Sequence, residues 1–527
     1  MIELGAHVLR DLNVEGLANS FKPATAAGRN HLIKTLSSPT DDAKVLAQRQ
    51  AEVRELRRLL RDPAAREKLL AARGVMRETE ADVVSIAEAA GDSRHAEYYN
   101  QILWGAKTIF GRLNEYGPIT EAMIFFRTLF VPGMSVILPL FIFIAPLVLY
   151  FFVLKKPIGF AEYFEMLSQA LKKAMPNVLG RPKFAGRGGF LESGEQMIHV
   201  GVGAAVFIGS IWSQVSSALA MRAIVADMRR RAASLLRLRD ALAEIDSIRR
   251  TEHERFAWGG GDMQIFGHAW NMPGHVQALL AEAAEIDALL SVALTKRTCF
   301  VTYGDSVVAE RLWHPGVPAA ERVYNSVALG GSRRPHVLLT GPNRGGKSTL
   351  LKSLGAAVLM GQTLGVAFAR RFTQPVFATI TTALAPTDII GEKSLFESEI
   401  EFAMRVRERA DARAGPMFLM MDEIFHGTNA HDGVEAAQVF LDSLYARPAT
   451  DSIYSVVSTH YMDLPARYGE DRTQNLCMEA SADPADPDRL VYTYRLCEGV
   501  NRFSSVREIL RERGLLAEKT SQPAGKA

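Results

Sequence analysis

Residues 341–348 read Gly-Pro-Asn-Arg-Gly-Gly-Lys-Ser, a complete G-x-x-x-x-G-K-[ST] loop. The apolar run Val337-Leu338-Leu339-Thr340 before it predicts a strand, and the Leu- and Ala-rich stretch from Thr349 to Met360 predicts a helix. A strand feeding a glycine loop into a helix N-terminus aims backbone N–H groups and the positive helix end at a phosphate chain. Gly341, Pro342, Asn343, Arg344, Gly345, Gly346, Lys347, Ser348 and Thr349 are therefore the candidate nucleotide-binding residues. In such a loop the lysine, Lys347, reaches the β- and γ-phosphates, and the Ser348 hydroxyl binds Mg²⁺. The implied ligand is ATP with Mg²⁺.

A phosphate loop of this kind needs a second strand that carries carboxylates. Met417-Phe418-Leu419-Met420-Met421 is continuously apolar, as suits a strand buried on both faces of a parallel sheet, and it runs into Asp422-Glu423. Asp422 is the candidate metal contact. Glu423, next along and pointing the other way, is the candidate general base. A third strand, Ser452–Ser458, ends in Thr459-His460-Tyr461. His460 is placed to sense the γ-phosphate, although a histidine there is equally readable as a polar loop residue.

These pieces together resemble the MutS family. The family's Thr-Gly-Pro-Asn-x-Gly-Gly-Lys-Ser-Thr loop is matched by Thr340 to Thr349, and its Asp-Glu-Ile-x-x-Gly-Thr-x-x-x-Asp-Gly by Asp422 to Gly433. Its Thr-His-Tyr is matched by Thr459-His460-Tyr461. Asp388, Gly391, Ser394, Phe396 and Glu399 resemble the family's Ser-Thr-Phe stretch, and Trp313-His314-Pro315 and Val323-Tyr324-Asn325 its entry to the ATPase domain. Thr25 to Arg29 and Leu36 to Thr40 resemble the start of the core lever domain, and Glu285-Ile286-Asp287 the helix that joins lever to ATPase. The resemblance covers about residues 8–60 and 280–515. It implies an ATPase acting as a dimer, with Ser394 reaching the partner's nucleotide, and it implies DNA as the object gripped. Departures are His426 for an arginine, Asn429 for a serine and Leu395 for a threonine. The chain is expected to lack the mismatch-reading domain.

Between the lever pieces, Met134 to Leu154 is twenty-one residues without a charge. At about 1.5 Å per residue it spans a hydrocarbon core of about 30 Å. Pro139 and Pro146 argue against an ordinary soluble helix, and Lys155-Lys156 cap one end. Met197 to Met221 is also uncharged but diluted by His199, Gln214 and several serines. Because the lever needs chain from both sides, an even number of crossings is expected: a transmembrane hairpin exposing 155–196 on the far side. The positive-inside rule does not decide orientation, since Lys155, Lys156, Lys172, Lys173, Arg181, Lys183 and Arg187 balance Arg127, Arg222, Arg229, Arg230, Arg231, Arg237 and Arg239. An interfacial hairpin that never crosses is the alternative.

The expected architecture is an α/β P-loop NTPase domain of MutS type, with a mainly parallel sheet, preceded by an all-α lever domain with an inserted membrane hairpin. The expected spans are 1–130 and 223–300 for the lever, 131–222 for the hairpin, 301–516 for the ATPase and 517–527 for a disordered tail. Three widely spaced cysteines offer neither a disulfide framework nor a zinc pattern. A formal net charge of +3 does not by itself argue for nucleic acid. The expected location is membrane-associated, with the ATPase in the cytoplasm. Three functions stand open: a membrane-tethered ATPase on DNA, a membrane-remodelling or transport-type ATPase that does not act on DNA, or a soluble DNA-clamp ATPase whose apolar runs are core.

Overall fold

The computed structural model describes the chain apart from residues 1, 6, 90–92, 106–107, 149–150, 153–154, 156–158, 160–161, 164–190, 385–394, 413–414, 449–451, 485 and 516–527. Contacts divide it into two compact units. One comprises Met1–Gly74, Glu244–Thr251 and Glu282–Ala527, and the other Val75–Ala243 and Glu252–Ala281.

The first unit is mixed α/β with a helical N-terminal region. Its strands are β1 (Glu3–Leu4), β2 (Cys299–Tyr303), β3 (Ser306–Leu312), β4 (Asn325–Gly330), β5 (His336–Thr340), β6 (Val366–Ala367), β7 (Arg371–Gln374), β8 (Thr379–Ala383), β9 (Met417–Met421), β10 (Ile453–Ser458), β11 (Thr473–Asp483) and β12 (Asp486–Glu498). Seven form a sheet in the order β1-β8-β9-β10-β5-β11-β12, parallel throughout except for the antiparallel β11–β12 pair. Its centre is where the sequence is continuously apolar: every residue of β5, β9 and β10 is buried. Removing water from both faces of such strands is the main driving force of this core.

The helix Lys347–Gly361 starts where the glycine loop ends. Its N-cap Gly346 sits at φ +98°, a backbone conformation that side chains disfavour. It packs on the sheet so closely that a Cβ on Gly355 would lie 2.2 Å from Met420 Cε. Buried Gln362 ends it, donating from Nε2 to the Phe377 carbonyl at 2.9 Å and accepting the Phe377 amide at 2.9 Å. A second, mostly antiparallel sheet, β4-β3-β7-β2-β6, adjoins the first and was not foreseen from sequence.

The stretch from Asp41 to Ala89 forms two helices, Ala43–Leu59 and Pro63–Ala89. Asp42 caps the first by accepting the Lys44 amide at 2.8 Å, and Pro63 opens the second, where its missing N–H costs nothing. In the N-terminal region Asp287 gathers three segments. Its buried carboxylate accepts the amides of Ala24 and Thr25 (both 2.9 Å), the Thr25 hydroxyl (2.8 Å) and Arg73 Nε (2.7 Å).

The second unit is helical. Tyr99 packs against Phe266 and Trp270, with ring centroids 5.1 and 5.5 Å away, and its hydroxyl donates to Asp227 at 3.0 Å. The apolar run around Met134 belongs to a longer helical stretch than the sequence suggested. It comprises Gly117–Phe125, a π-helical turn Phe126–Phe130 and Val131–Val148. Gly117–Ile137 is the only described helical stretch long and apolar enough to cross a membrane, and only 17% of its most apolar window is buried. The run 197–221 lies within one helix, Leu191–Arg249. The rest of the expected hairpin, most of 155–190, lies outside the described residues, as do Ser394 and the tail.

Candidate nucleotide site

Three neighbouring parallel strands, β9, β10 and β5, end at the same edge of the large sheet. From them leave Asp422-Glu423, Thr459-His460 and the loop Gly341–Ser348. The carboxyl edge of a parallel sheet is where such folds bind ligands. Gly341, at φ +143°, lets the chain turn off β5; a Cβ there would stand 3.1 Å from Met478 Cβ.

Lys347 is buried, and Nζ donates to the Gly341 carbonyl at 2.9 Å, with the Pro342 carbonyl and Asn343 Oδ1 each at 3.4 Å. Burial pulls its pKa down, while Glu423 and Asp422 push it back up. The lysine therefore feels both carboxylates. Ser348 and Thr349 are exposed and line a cleft of about 730 Å³ together with Pro342, Asn343, Arg344, Glu423, Met478 and Tyr494. The cleft's other wall is His314, Arg322, Val323 and Asn325, delivered by β3, β4 and their connection. Its size is in the usual range of small-molecule sites.

The carboxylate side is organised by Ser458, which the sequence showed only as a strand end. Its hydroxyl donates to Asp422 Oδ1 and accepts the Glu423 amide at 2.8 Å. The Asp422 amide donates to the Ala383 carbonyl at 2.9 Å. Glu423 holds φ +53° and Phe425 φ +52°, so the chain turns sharply after β9. That turn is braced twice. The Tyr461 hydroxyl donates to the Phe425 carbonyl at 2.7 Å. Glu399 accepts the amides of His426 (3.3 Å) and Gly427 (3.2 Å) and lies 3.0 Å from His426 Nδ1. Burial raises the Glu399 pKa, against the pull of these donors.

His460 stands on the surface beside Tyr461. The partial burial its ring retains there lowers its pKa first; Glu423 opposes that shift, and His426 and Lys347 add to it. Both expected carboxylates, the lysine, the loop and His460 are thus brought together. Ser394 lies outside the described residues. Tyr494, Arg322, Asn325, Met478 and Ser458 complete the surroundings. Only Asn325 carried a sequence signal, through the Val-Tyr-Asn element. Asn325 Nδ2 donates to the Tyr494 carbonyl at 3.0 Å, and the Leu496 amide donates to Asn325 Oδ1 at 2.8 Å, tying β12 to the cleft.

The donor set fits Mg²⁺. The Ser348 hydroxyl is exposed, and Asp422 has one oxygen held by Ser458 and a second to offer; both groups are hard oxygen ligands. The sheet and site define a P-loop nucleotide-binding domain of the α/β class. Residues 337–512 match MutS domain V. The chain is 31% identical over 219 residues to the endonuclease MutS2 of Enterococcus faecalis (41% of this chain, 26% of that protein). It is 32% identical over 226 residues to the endonuclease MutS2 of Thermus thermophilus (41% and 27%), and 30% over 242 residues to the DNA mismatch repair protein MutS of Thermus aquaticus (46% and 28%). The chain thus matches only about a quarter of the length of these relatives. The likeness to MutS proteins is thus carried by the C-terminal part of the chain, where the phosphate loop and the Asp422-Glu423 strand lie.

Proposed function

We propose that this chain is an ATP-hydrolysing member of the MutS family, working as a nucleotide-driven dimer on DNA. The observation that carries the reading is the convergence of Gly341–Ser348, Asp422-Glu423 and His460 at one edge of adjacent parallel strands. Mg²⁺ would be held by Ser348 and Asp422 and would neutralise phosphate charge. Lys347 would leave its loop carbonyls for phosphate oxygens. Glu423, lining the cleft, would accept the proton of the attacking water, and His460 would sense the terminal phosphate. By resemblance Ser394 completes the site of a second copy. DNA enters from the names of the relatives, one of which is a DNA mismatch repair protein.

The test is ATP turnover with and without duplex, branched and single-stranded DNA at low salt, where phosphate contacts are strongest. Turnover unchanged by all three would remove DNA from the reading and leave the transport-type alternative. A second copy is checked by sedimentation of the Glu423→Gln variant with ATP and Mg²⁺: a monomer at saturating nucleotide would sink the dimer.

A membrane attachment is the second element of the proposal, with the ATPase on the cytoplasmic side and the lever interrupted between 131 and 222. Its support is the helical stretch Gly117–Ile137, whose Phe126 and Ile137 are 52% and 57% exposed, and Trp212, 72% exposed, within the second uncharged run. Such exposed apolar area suits lipid better than water. Release from membranes by high salt alone, without detergent, would refute it.

A further inference from the structure

We infer that Asp11, more than 400 residues from the Asp422 carboxylate in sequence, is a positioning residue for the Mg²⁺ side of the nucleotide site. The inference rests on the proposed role of Asp422. Asp11 has a fully buried side chain. Its Oδ2 accepts both the Thr382 hydroxyl at 2.8 Å and the Leu384 amide at 2.9 Å. These two donors flank Ala383, whose carbonyl receives the Asp422 amide at 2.9 Å. The β8–β9 ladder ends with the pair Ala383 and Met421, one residue before Asp422. Asp11 therefore fastens the last rung from which the metal-side carboxylate departs.

The segment around Asp11 is itself anchored. Glu3 and Leu4 pair in parallel with Thr379 and Ile380, and the Gly5 amide donates to the Ile380 carbonyl at 2.9 Å. The next residue, Leu12, reaches the phosphate-loop helix, its Cδ2 lying 2.7 Å from where a Cβ on Gly355 would be. One short stretch thus touches the strand that sets Asp422 and the helix that begins with Lys347 and Ser348. Without Asp11, Leu384 N and the Thr382 hydroxyl lose their buried acceptor, and the end of β8 can separate from β9. Outer partners that orient a metal ligand typically change metal affinity by about 10–100-fold when removed.

The test uses the full chain and the Mg²⁺ dependence of binding of a fluorescent ATP analogue, with thermal unfolding followed in parallel. In Asp11→Ala the Mg²⁺ concentration for half-maximal binding should rise about tenfold or more, at the low end of that range. Affinity without Mg²⁺ should stay within about twofold, because the loop and Lys347 are untouched. Asp11→Asn should stay near the wild type, since one amide oxygen can accept both donors. Thr382→Val removes one donor while leaving Asp11 in place. It should shift the Mg²⁺ midpoint in the same direction by less, and it serves if Asp11→Ala fails to fold. A normal wild type with an unchanged Mg²⁺ midpoint in Asp11→Ala, or in Thr382→Val if that stands in for it, overturns the role of Asp11 alone. A wild type that binds no nucleotide at any Mg²⁺ concentration overturns the nucleotide reading and this inference with it.

Discussion

Lys347 Nζ lies 2.9 Å from the Gly341 carbonyl, so this buried ammonium is held by the loop it belongs to. A triphosphate must draw that ammonium from three oxygens of residues 341–343 and return more than they provide. Lys347→Ala should weaken ATP-analogue binding about a hundredfold or more, because hydrogen bonds to charged groups contribute about 1.5–3 kcal/mol each. Equilibrium binding by fluorescence measures it; retained tight binding would remove the phosphate-loop assignment.

Glu423→Gln keeps the side-chain size and the turn at φ +53° but removes the base. Single-turnover kinetics should show hydrolysis slowed by about 10²–10⁴ with binding preserved. Unimpaired turnover moves the base elsewhere, and His460→Ala is then the variant to make.

Gly433 is required by a contact rather than by its own backbone. A Cβ there would stand 2.1 Å from Tyr461 Oη and 2.6 Å from the Phe425 carbonyl, so it would break the bond that braces the turn after Glu423. Gly433→Ala should cost about 1–3 kcal/mol by urea unfolding, as overpacking does, and should reduce turnover more than nucleotide affinity. Adding Tyr461→Phe removes the clashing oxygen and should restore part of the stability. No recovery in the double variant would place the strain on the Phe425 carbonyl instead.

Asp287 and Arg73 form an ion pair of 2.7 Å, with the carboxylate fully buried and the guanidinium 15% exposed. Removing the acid strands a buried cation and three donors on Ala24 and Thr25. Asp287→Ala should destabilise by about 3–5 kcal/mol, more than Arg73→Ala, and the pair should be non-additive. Equal costs for the two single variants would show that the backbone donors contribute nothing.

Stability should fall on mild acidification. Burial lowers the pKa of His314, helped by Lys352, and burial also lowers that of His31. A histidine with a depressed folded-state pKa binds its proton more readily when unfolded. Its contribution is complete above the unfolded value of about 6.5 and is lost as pH falls below it toward the folded value. Thermal unfolding at pH 7.5 and 5.5 should show the lower midpoint at 5.5, and His314→Gln should reduce the difference. An unaltered difference in that variant would assign the effect to other groups.

Legibility in the sequence followed the range of the interactions. The Lys347 loop, the β9 run into Asp422-Glu423 and the β10 run into His460 were readable because apolar periodicity and motif spacing are local. The second sheet, with β2 to β4 between residues 299 and 330, was not, since its short strands show no uninterrupted apolar run. Nor was β11–β12, a polar pair at the sheet's edge whose register only partner strands define. The helix Gly117–Val148 began well before the uncharged run, because helix formation tolerates Glu121 and Arg127 where apolarity alone places a boundary.

The sequence by itself determined the chemistry available: a phosphate loop, two acids after a buried strand and a histidine after the next. Tertiary structure decided which polar groups govern them. Ser458 holds Asp422, Tyr461 holds Phe425 through the space that Gly433 leaves, and Asp11 holds the end of β8. A buried donor or acceptor must find a partner wherever the fold brings one, and across a parallel sheet that partner is a residue tens to hundreds of positions away. Sequence spacing carries no trace of such pairings; the order of the strands creates them.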